Sequence, residues 1–219
     1  MKPDLIIFDC DGVLIDSEQV ASDVISQELA KLGWSLTPQE CMTRFLGMNI
    51  TEMQPLVAAH LGHDLPLNWP QTLAQAIMEA MKTRAVLMPG AAQVLEKVNQ
   101  MGVDWRIASN SSDAEMAVKF ACTGLSEITK GRAISAARVI AKGGKAKPAP
   151  DVYLEAAQDA AVAPSRCIVV EDSPLGARAA VAAGMICYGL APQSDGGALK
   201  AEGVRAVFHR LDEIFGVIS

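Results

Sequence analysis

The chain has 219 residues, half of them hydrophobic, and a formal net charge of −6 at neutral pH. This composition allows a globular protein with a substantial core, and at this length either one large domain or a core domain with an insert. Because affinity for a nucleic-acid backbone depends on clustered Lys and Arg, and no such cluster occurs, we expect no nucleic-acid partner. The sequence has no run of about 18 apolar residues and no secretory signal, so we expect no membrane partner.

The five cysteines form no closely spaced CxxC pair. Cys10, Cys167 and Cys187 lie within apolar, strand-like runs, which is typical of buried reduced thiols. Reduced thiols fit the cytoplasm, so we expect a cytoplasmic protein. We also expect it to be a monomer or a weak homodimer.

The first element that the sequence predicts is a short strand at residues 5–8, Leu-Ile-Ile-Phe. A short, β-branched apolar run of this kind is typical of a strand buried on both faces of a parallel sheet. Asp9, Asp11 and Gly12 follow directly. Ligands of open α/β sheets bind beyond the carboxyl ends of the strands, so the two aspartates are candidate functional residues.

Residues 16–84 show helical patterns and no convincing strand. Apolar spacing predicts helices at about 16–32, 51–61 and 70–83, and Thr37-Pro38 begins another short helix. About 70 residues of consecutive helices are far too many for a βα loop of roughly 2–6 residues. We therefore predict a helical cap subdomain at 16–85, inserted into a catalytic core formed by 1–15 and 86–219.

From residue 89 onward, strands and helices alternate. The patterns predict helices at about 91–101, 113–123, 152–161 and 174–183, and strands at about 103–108, 167–170, 185–190 and 206–209. Residues 124–144 have no clear pattern. The alternation predicts an α/β fold, a doubly wound parallel sheet with a Rossmann-like core.

Polar residues follow three of the predicted strands. If these strands are neighbours, one edge of the sheet collects three pairs of side chains: Asp9 and Asp11, Ser109 and Asn110, and Glu171 and Asp172. Clustered carboxylates repel each other unless a cation neutralises them, and an all-oxygen site suits Mg²⁺. A hydroxyl, an amide and a lysine would then bind phosphate oxygens. In such a site Asp9 would attack phosphorus, while Asp11 would transfer the proton.

Four segments also carry a family resemblance: DCDGVL, SNS, KPAPD and VEDSPLG, in this order along the chain. They resemble the four motifs of the haloacid dehalogenase-like superfamily, and the helical insert after the first motif is similar to its sugar-phosphate phosphatase and β-phosphoglucomutase branch. The resemblance implies a Mg²⁺-dependent enzyme that acts on a small phosphorylated metabolite. It further implies a mobile helical cap that selects the substrate.

The resemblance also implies roles for individual residues. Asp9 would be the nucleophile that forms an aspartyl-phosphate, Asp11 the general acid and base, and Ser109 and Lys147 the phosphoryl ligands. We choose Lys147 over Lys145 because Pro-Ala-Pro-Asp follows it. The implied metal ligands are Asp9, the main-chain carbonyl of Asp11, Asp172, and Glu171 either directly or through a water. Our candidates for substrate contacts are Asn110, Arg44 and Glu18.

These residues predict a phosphatase of a sugar or sugar-acid phosphate. A β-phosphoglucomutase would use the same chemistry but return the phosphoryl group to another sugar hydroxyl. A dehalogenase is disfavoured because it lacks the second aspartate that Asp11 provides, and a phosphonate hydrolase because no Lys lies between Lys31 and Lys82. A phosphometabolite-binding protein without turnover is the alternative from another functional class.

Overall fold

The computed structural model describes residues 3–45 and 48–218. The chain divides into two compact units, Met1–Ile15 with Leu87–Ser219 and Asp16–Val86. The first is termed the core unit and the second the helical insert. None of the helices in the described ranges is long and apolar enough to cross a membrane.

The core unit is built on one sheet of six strands, and all neighbouring strands are parallel. Two further strands pair with each other where the chain passes between the units. In chain order the strands are β1 (Leu5–Phe8), β2 (Ile15–Asp16), β3 (Val86–Leu87), β4 (Asp104–Ser109), β5 (Ala133–Ser135), β6 (Cys167–Glu171), β7 (Ile186–Leu190) and β8 (Ala206–Phe208). The order in the large sheet is β5-β4-β1-β6-β7-β8.

The helices fall into two sets. Those of the helical insert are α1 (Glu18–Lys31), α2 (Pro38–Phe45), α3 (Ile50–Leu61) and α4 (Trp69–Arg84). Those of the core unit are α5 (Ala91–Gln100), α6 (Asp113–Thr123), α7 (Ser126–Thr129), α8 (Ala136–Ala141), α9 (Asp151–Asp159), α10 (Pro174–Ala182), α11 (Gly197–Ala201) and α12 (Phe215–Ile218). Short 3₁₀ helices cover Pro164–Arg166 and Leu211–Ile214.

Strand β1 is buried along its whole length because it lies in the interior of the sheet. Leu5 and Ile7 belong to a core cluster with side chains from α8, α9 and α10. Phe8, which alternates with them, meets Trp105 of β4 edge to face at 6.4 Å between ring centroids. Burial of each such large side chain contributes about 2 kcal/mol, so the apolar run at 5–8 is held firmly in the sheet.

The helical insert has its own hydrophobic core. Its buried residues come from all four helices and from the segments between them: Val24, Ile25, Leu29, Trp34, Cys41, Phe45, Met53, Val57, Leu65, Trp69 and Leu73. Trp34 is central to this cluster, with His60 stacked on its ring at 3.8 Å and Phe45 edge-on at 6.1 Å. The insert is therefore a packed unit rather than a long loop.

The structure corrects one expectation about the insert and resolves one segment that had no clear pattern. Asp16 belongs to β2, in a stretch expected to lack strands; two residues are too few to show a strand pattern. Residues 124–144 contain α7, β5 and α8. Strand β5 pairs with β4 at the edge of the sheet, and its three residues are likewise too few for a period to be read.

Candidate active site

Polar side chains from three adjacent strands meet at one edge of the sheet. Because β1 lies between β4 and β6, Asp9 after β1 is flanked by Ser109 at the end of β4 and Glu171 at the end of β6. The main-chain N–H of Asp9 donates to the carbonyl of Val170 at 3.0 Å, which continues the pairing of β1 with β6 by one residue. The main chain of Asp9 is thus held by the sheet itself.

Lys147, from the segment before α9, extends to this edge and is buried there. Its Nζ atom donates to Oδ1 of Asp9 at 2.5 Å, to Oε1 of Glu171 at 2.7 Å and to the carbonyl of Ala108 at 2.8 Å. Burial lowers the pKa of this ammonium, but the attraction of the two carboxylates outweighs burial and raises the pKa above its usual value. Lys145 is exposed, so it is Lys147 that contacts Asp9.

Asp9 is a buried carboxylate at 7% exposure. Burial raises its pKa to about 7, against the opposing effect of Lys147 and with added repulsion from Glu171 and Asp11. An aspartate with a pKa this far from its ordinary value, next to a specific cationic partner, is typical of a functional site. Additional positive charge at this edge would favour the ionised form of Asp9.

Glu171 is fully buried, and both of its oxygens accept hydrogen bonds from the protein. Oε1 accepts from Lys147 and from the Tyr153 hydroxyl at 2.7 Å each, and Oε2 accepts from the N–H and the hydroxyl of Ser173 at 3.0 and 2.9 Å. Burial raises the pKa of Glu171, but Lys147 and these donors outweigh it and lower the pKa. The oxygens of Glu171 thus hold Lys147, Tyr153 and Ser173, and its binding of a metal, directly or through a water, stays a prediction.

Asp11 is held by two residues of the β4–α6 segment. Nζ of Lys119 donates to its Oδ1 at 2.6 Å, and the hydroxyl of Ser111 donates to its Oδ2 at 2.8 Å. Neither donor was predicted from the sequence. A signal for Lys119 was nevertheless present, because it lies between Met116 and Phe120 on the buried face of α6, where a lysine is unusual.

The residues predicted to bind a metal offer oxygen donors, which Mg²⁺ prefers. Gly12 has a φ of 80°, and the Cβ of a larger residue there would lie 1.9 Å from Oδ2 of Asp172. The absent Cβ therefore leaves a cradle in which the Asp172 carboxylate approaches the turn after Asp11. With the carboxylate of Asp9, these all-oxygen donors fit a hard cation such as Mg²⁺.

Besides Glu171, which is predicted to bind the metal directly or through a water, the predicted metal ligands are the side chains of Asp9 and Asp172 and the main-chain carbonyl of Asp11. Within residues 3–45 and 48–218, no group of three or more His, Cys, Asp or Glu side chains is arranged around a common metal position. A set of two carboxylates and one carbonyl is compatible with that finding, because Mg²⁺ keeps several waters and needs few protein ligands.

Asn110 and Ser109 are placed by contacts within the core unit. The Asn110 amide contacts the main chain of Lys147: Oδ1 accepts from its N–H at 2.9 Å, and Nδ2 donates to its carbonyl at 3.2 Å, while a contact of Asn110 with a substrate stays a prediction. Both ends of the amide thus fix the main chain of Lys147. The buried Ser109 hydroxyl accepts from the N–H of Ser111 at 3.0 Å.

The two remaining candidates for substrate contacts lie in the helical insert. Glu18 is the first residue of α1 and lines a cavity of about 200 Å³ together with Ser22, Met42 and other residues of the insert. The Arg44 guanidinium lies 5.1 Å above the Trp34 ring, a cation–π contact within the insert. Arg44 therefore has a packing role, and its contact with a substrate stays a prediction.

Comparison with known proteins identifies the family of this chain. The model of the haloacid dehalogenase-like hydrolase family matches residues 3–184. The chain belongs to this family. The match confirms the family expected from the four motifs, and with it the expectation of a hydrolase.

The chain is similar over most of its length to named relatives and to solved structures. Hexitol phosphatase A of Escherichia coli (strain K12) is 29% identical over 95% of this chain and 91% of its own length. The protein named "Probable pseudouridine-5'-phosphatase" of Drosophila melanogaster is 31% identical over 82% of this chain and 78% of its own. The structure of a hydrolase of the family from Deinococcus radiodurans R1, with bound phosphate and sodium, has a TM-score of 0.84 at 30% identity and covers 98% and 94% of the two chains. This likeness confirms the expected α/β fold class.

Proposed function

We propose that the protein is a Mg²⁺-dependent phosphatase that hydrolyses a small phosphorylated metabolite, a sugar or sugar-acid phosphate, through an aspartyl-phosphate. The observation that carries this proposal is the buried contact between Asp9 and Lys147, 2.5 Å from carboxylate oxygen to ammonium nitrogen. A buried carboxylate beside a fixed cation combines a nucleophile with a ligand for the phosphoryl oxygens.

In the proposed reaction an oxygen of Asp9 attacks phosphorus, and the bond from phosphorus to the leaving oxygen breaks. Asp11 donates a proton to that oxygen, so the product leaves as a neutral alcohol. Water then attacks the phosphorus of the aspartyl-phosphate while Asp11 accepts a proton from it. The bond between phosphorus and Asp9 breaks, inorganic phosphate leaves, and both carboxyl groups return to their starting states.

Two further residues bind the phosphoryl group in this proposal. The Lys147 ammonium and the Ser109 hydroxyl donate to its non-bridging oxygens, where negative charge is concentrated. Asp9, Asp172 and the main-chain carbonyl of Asp11 would hold Mg²⁺. The ion supplies positive charge that neutralises the phosphate oxygens.

The substrate class rests on the relatives and on the helical insert. Two relatives are named as phosphatases of a hexitol phosphate and of pseudouridine 5'-phosphate, both phosphate esters with a polyhydroxylated carbon chain or ring. We infer that this chain takes an ester of the same general class. In this proposal the helical insert acts as a cap that selects the substrate, with Glu18 and Arg44 as its candidate contacts.

The cysteines support the proposal of a reducing compartment such as the cytoplasm. Cys10, Cys41, Cys167 and Cys187 are free thiols, and all four are buried. Buried reduced thiols are usual for cytoplasmic proteins.

The test is hydrolysis of a panel of sugar, polyol and sugar-acid phosphates and of p-nitrophenyl phosphate, measured as released phosphate with Mg²⁺ and with EDTA. We expect Mg²⁺-dependent turnover that Asp9→Asn abolishes. Asp212→Asn is the matched control, since Asp212 is an exposed partner of Arg210. Turnover retained by a folded Asp9→Asn protein would contradict the covalent mechanism.

Two other results would favour the alternative functions. Conversion of β-glucose 1-phosphate to glucose 6-phosphate without released phosphate would identify a mutase. No hydrolysis of any ester in the panel would favour a binding protein without turnover.

A further inference from the structure

The carboxylate of Asp11 is part of a closed ring of three hydrogen-bonded side chains. Lys119 donates to Oδ1 at 2.6 Å, Ser111 donates to Oδ2 at 2.8 Å, and Lys119 also donates to the Ser111 hydroxyl at 2.9 Å. Each carboxylate oxygen therefore has its own donor, and the two donors hold each other. This arrangement fixes the plane of the carboxylate as well as its position.

Lys119 is not an ordinary surface lysine. Its side chain is 8% exposed and that of Asp11 is 30% exposed, so the ion pair is shielded from water on the lysine side. Burial of an ammonium group is unfavourable unless a partner compensates for it, and isolated surface pairs contribute little. The buried position of Lys119 therefore indicates a specific task for its charge.

The backbone of this segment keeps both donors in place. Ser111 lies between β4 and α6. Lys119 lies in α6, whose first turn is closed by reciprocal hydrogen bonds between Ser112 and Glu115. The same segment carries Ser109, which binds the phosphoryl group in the proposed function. One stretch of chain thus sets the position of Asp11 relative to a phosphoryl ligand.

We propose that Lys119 and Ser111 are positioning residues for Asp11: they hold its carboxylate in the orientation from which it transfers a proton to and from the substrate. This inference rests on the proposed phosphatase function. Proton transfer requires hydrogen-bond distance and alignment, and a displacement of about 1 Å can lower a rate by about a hundredfold. A lysine that only stabilised the fold would not affect the proton-transfer step selectively.

Substrates with different leaving groups distinguish a lysine that positions Asp11 from one that only stabilises the fold. Phenoxide is far more basic than p-nitrophenoxide, so phenyl phosphate needs a proton donor for its leaving oxygen and p-nitrophenyl phosphate hardly does. The constant kcat/KM includes only the steps up to departure of this group. Its ratio for the two esters therefore measures the contribution of the acid, independently of the second half-reaction.

The experiment compares kcat/KM for both esters in the wild type, Lys119→Met and Ser111→Ala. We expect Lys119→Met to lower the value for phenyl phosphate about tenfold or more, with less than about a threefold change for p-nitrophenyl phosphate. Ser111→Ala should show the same selectivity with a smaller loss. Lys97→Met is the matched control, because Lys97 lies over the Phe215 ring in another part of the core unit, and it should change neither value.

Equal losses for the two esters in Lys119→Met, or no loss for either, would overturn the inference. Thermal unfolding shows whether Lys119→Met folds; if it does not, Ser111→Ala carries the test, and equal losses or no loss in that variant would overturn the inference as well. A wild-type protein that hydrolyses neither of these esters nor any sugar, polyol or sugar-acid phosphate of the panel would overturn the proposed function and this inference with it. Turnover abolished by Asp9→Asn but not selectively reduced by Lys119→Met would overturn the inference alone.

Discussion

The carboxylate of Asp172 occupies the space in which any residue larger than glycine at position 12 would place its Cβ atom. An ideal Cβ at Gly12 would lie 1.9 Å from Oδ2 and 2.5 Å from Cγ of Asp172. Gly12 also has a φ of 80°, a conformation that other residues adopt at a cost. Position 12 therefore requires glycine for two independent reasons, and one of them concerns a predicted metal ligand.

Gly12→Ala should lower Mg²⁺-dependent kcat/KM by about a hundredfold or more, because Asp172 has to move out of its place. The left-handed conformation should add a loss of about 1–2 kcal/mol in the free energy of unfolding. Phosphate release at several Mg²⁺ concentrations and urea unfolding measure the two effects. Gly102→Ala separates them: Gly102 has a φ of 64° and open space around its Cα, so this variant should lose stability and keep its activity. Equal activity of the two variants would contradict the role of Asp172.

Tyr153→Phe tests the contribution of the hydrogen bond from the Tyr153 hydroxyl to Glu171. The Tyr153 hydroxyl donates to Oε1 of Glu171 at 2.7 Å inside the core, and a hydrogen bond to a charged group contributes about 1.5–3 kcal/mol. We expect a loss of about 2 kcal/mol in the free energy of unfolding, measured by urea denaturation. The ring of Phe keeps the packing and the contact with the Lys147 ammonium, which lies 4.5 Å from the Tyr153 ring centroid. Tyr188→Phe, at the other tyrosine of the chain, is the control outside the site, and an equally large loss there would argue against a special role for Glu171.

Much of the fold could be predicted from the sequence. The longer helices show a repeated spacing of apolar residues, and recognisable residues mark where they end. Helices α1, α5 and α6 begin and end within about two residues of their predicted bounds, since apolar spacing and terminal glycines determine them. Strand β5 and helix α8 could not be predicted. Elements of three and six residues do not show a period, and β5 is defined by its pairing with β4.

Some residues of the candidate site could likewise be predicted from the sequence, and others could not. Asp9, Ser109 and Lys147 follow strands or carry recognisable motifs, and the structure brings them to one edge of the sheet. The contacts of Asn110 and Lys119 could not be derived from spacing, because their partners are 37 and 108 residues away in the chain. The partners of the Asn110 amide and of the Lys119 ammonium become apparent only in the folded structure.

Asn110→Ala should act on catalysis through Lys147. The variant removes both hydrogen bonds from the Asn110 amide to the main chain of Lys147, which frees the segment that carries the ammonium. We expect kcat/KM to fall about tenfold, the scale expected when a positioned group loses its support. The steady-state rate with p-nitrophenyl phosphate is a sufficient measurement. Asn99→Ala removes a hydrogen bond from Trp105 elsewhere in the core unit, so it should reduce stability and leave kcat/KM unchanged; the opposite pattern would refute this role of Asn110.

The ionised side chain of Asp104 should stabilise the folded protein, and this contribution should be lost in acid. Its Oδ1 accepts from the N–H of Trp105 at 2.8 Å and from Arg106 and Arg132 at 2.9 and 2.8 Å. Burial raises the pKa of Asp104, but these donors outweigh burial and lower the pKa below its usual value. The ionised form is therefore favoured by folding, and its contribution is present above about pH 4 and lost as the pH falls through the folded-state pKa.

Asp104→Asn should accordingly be less stable than the wild type at pH 7, and the difference should narrow below about pH 4, where the wild type loses the same contribution. The effect should be modest, because the Asp104 side chain is 42% exposed and water screens its charge. Thermal unfolding of both proteins at pH 7, 5 and 3 measures the difference, with the exposed Asp64→Asn of the helical insert as the control. A difference that stays constant, or widens, between pH 5 and 3 would show that the contacts of Asp104 do not depend on its charge.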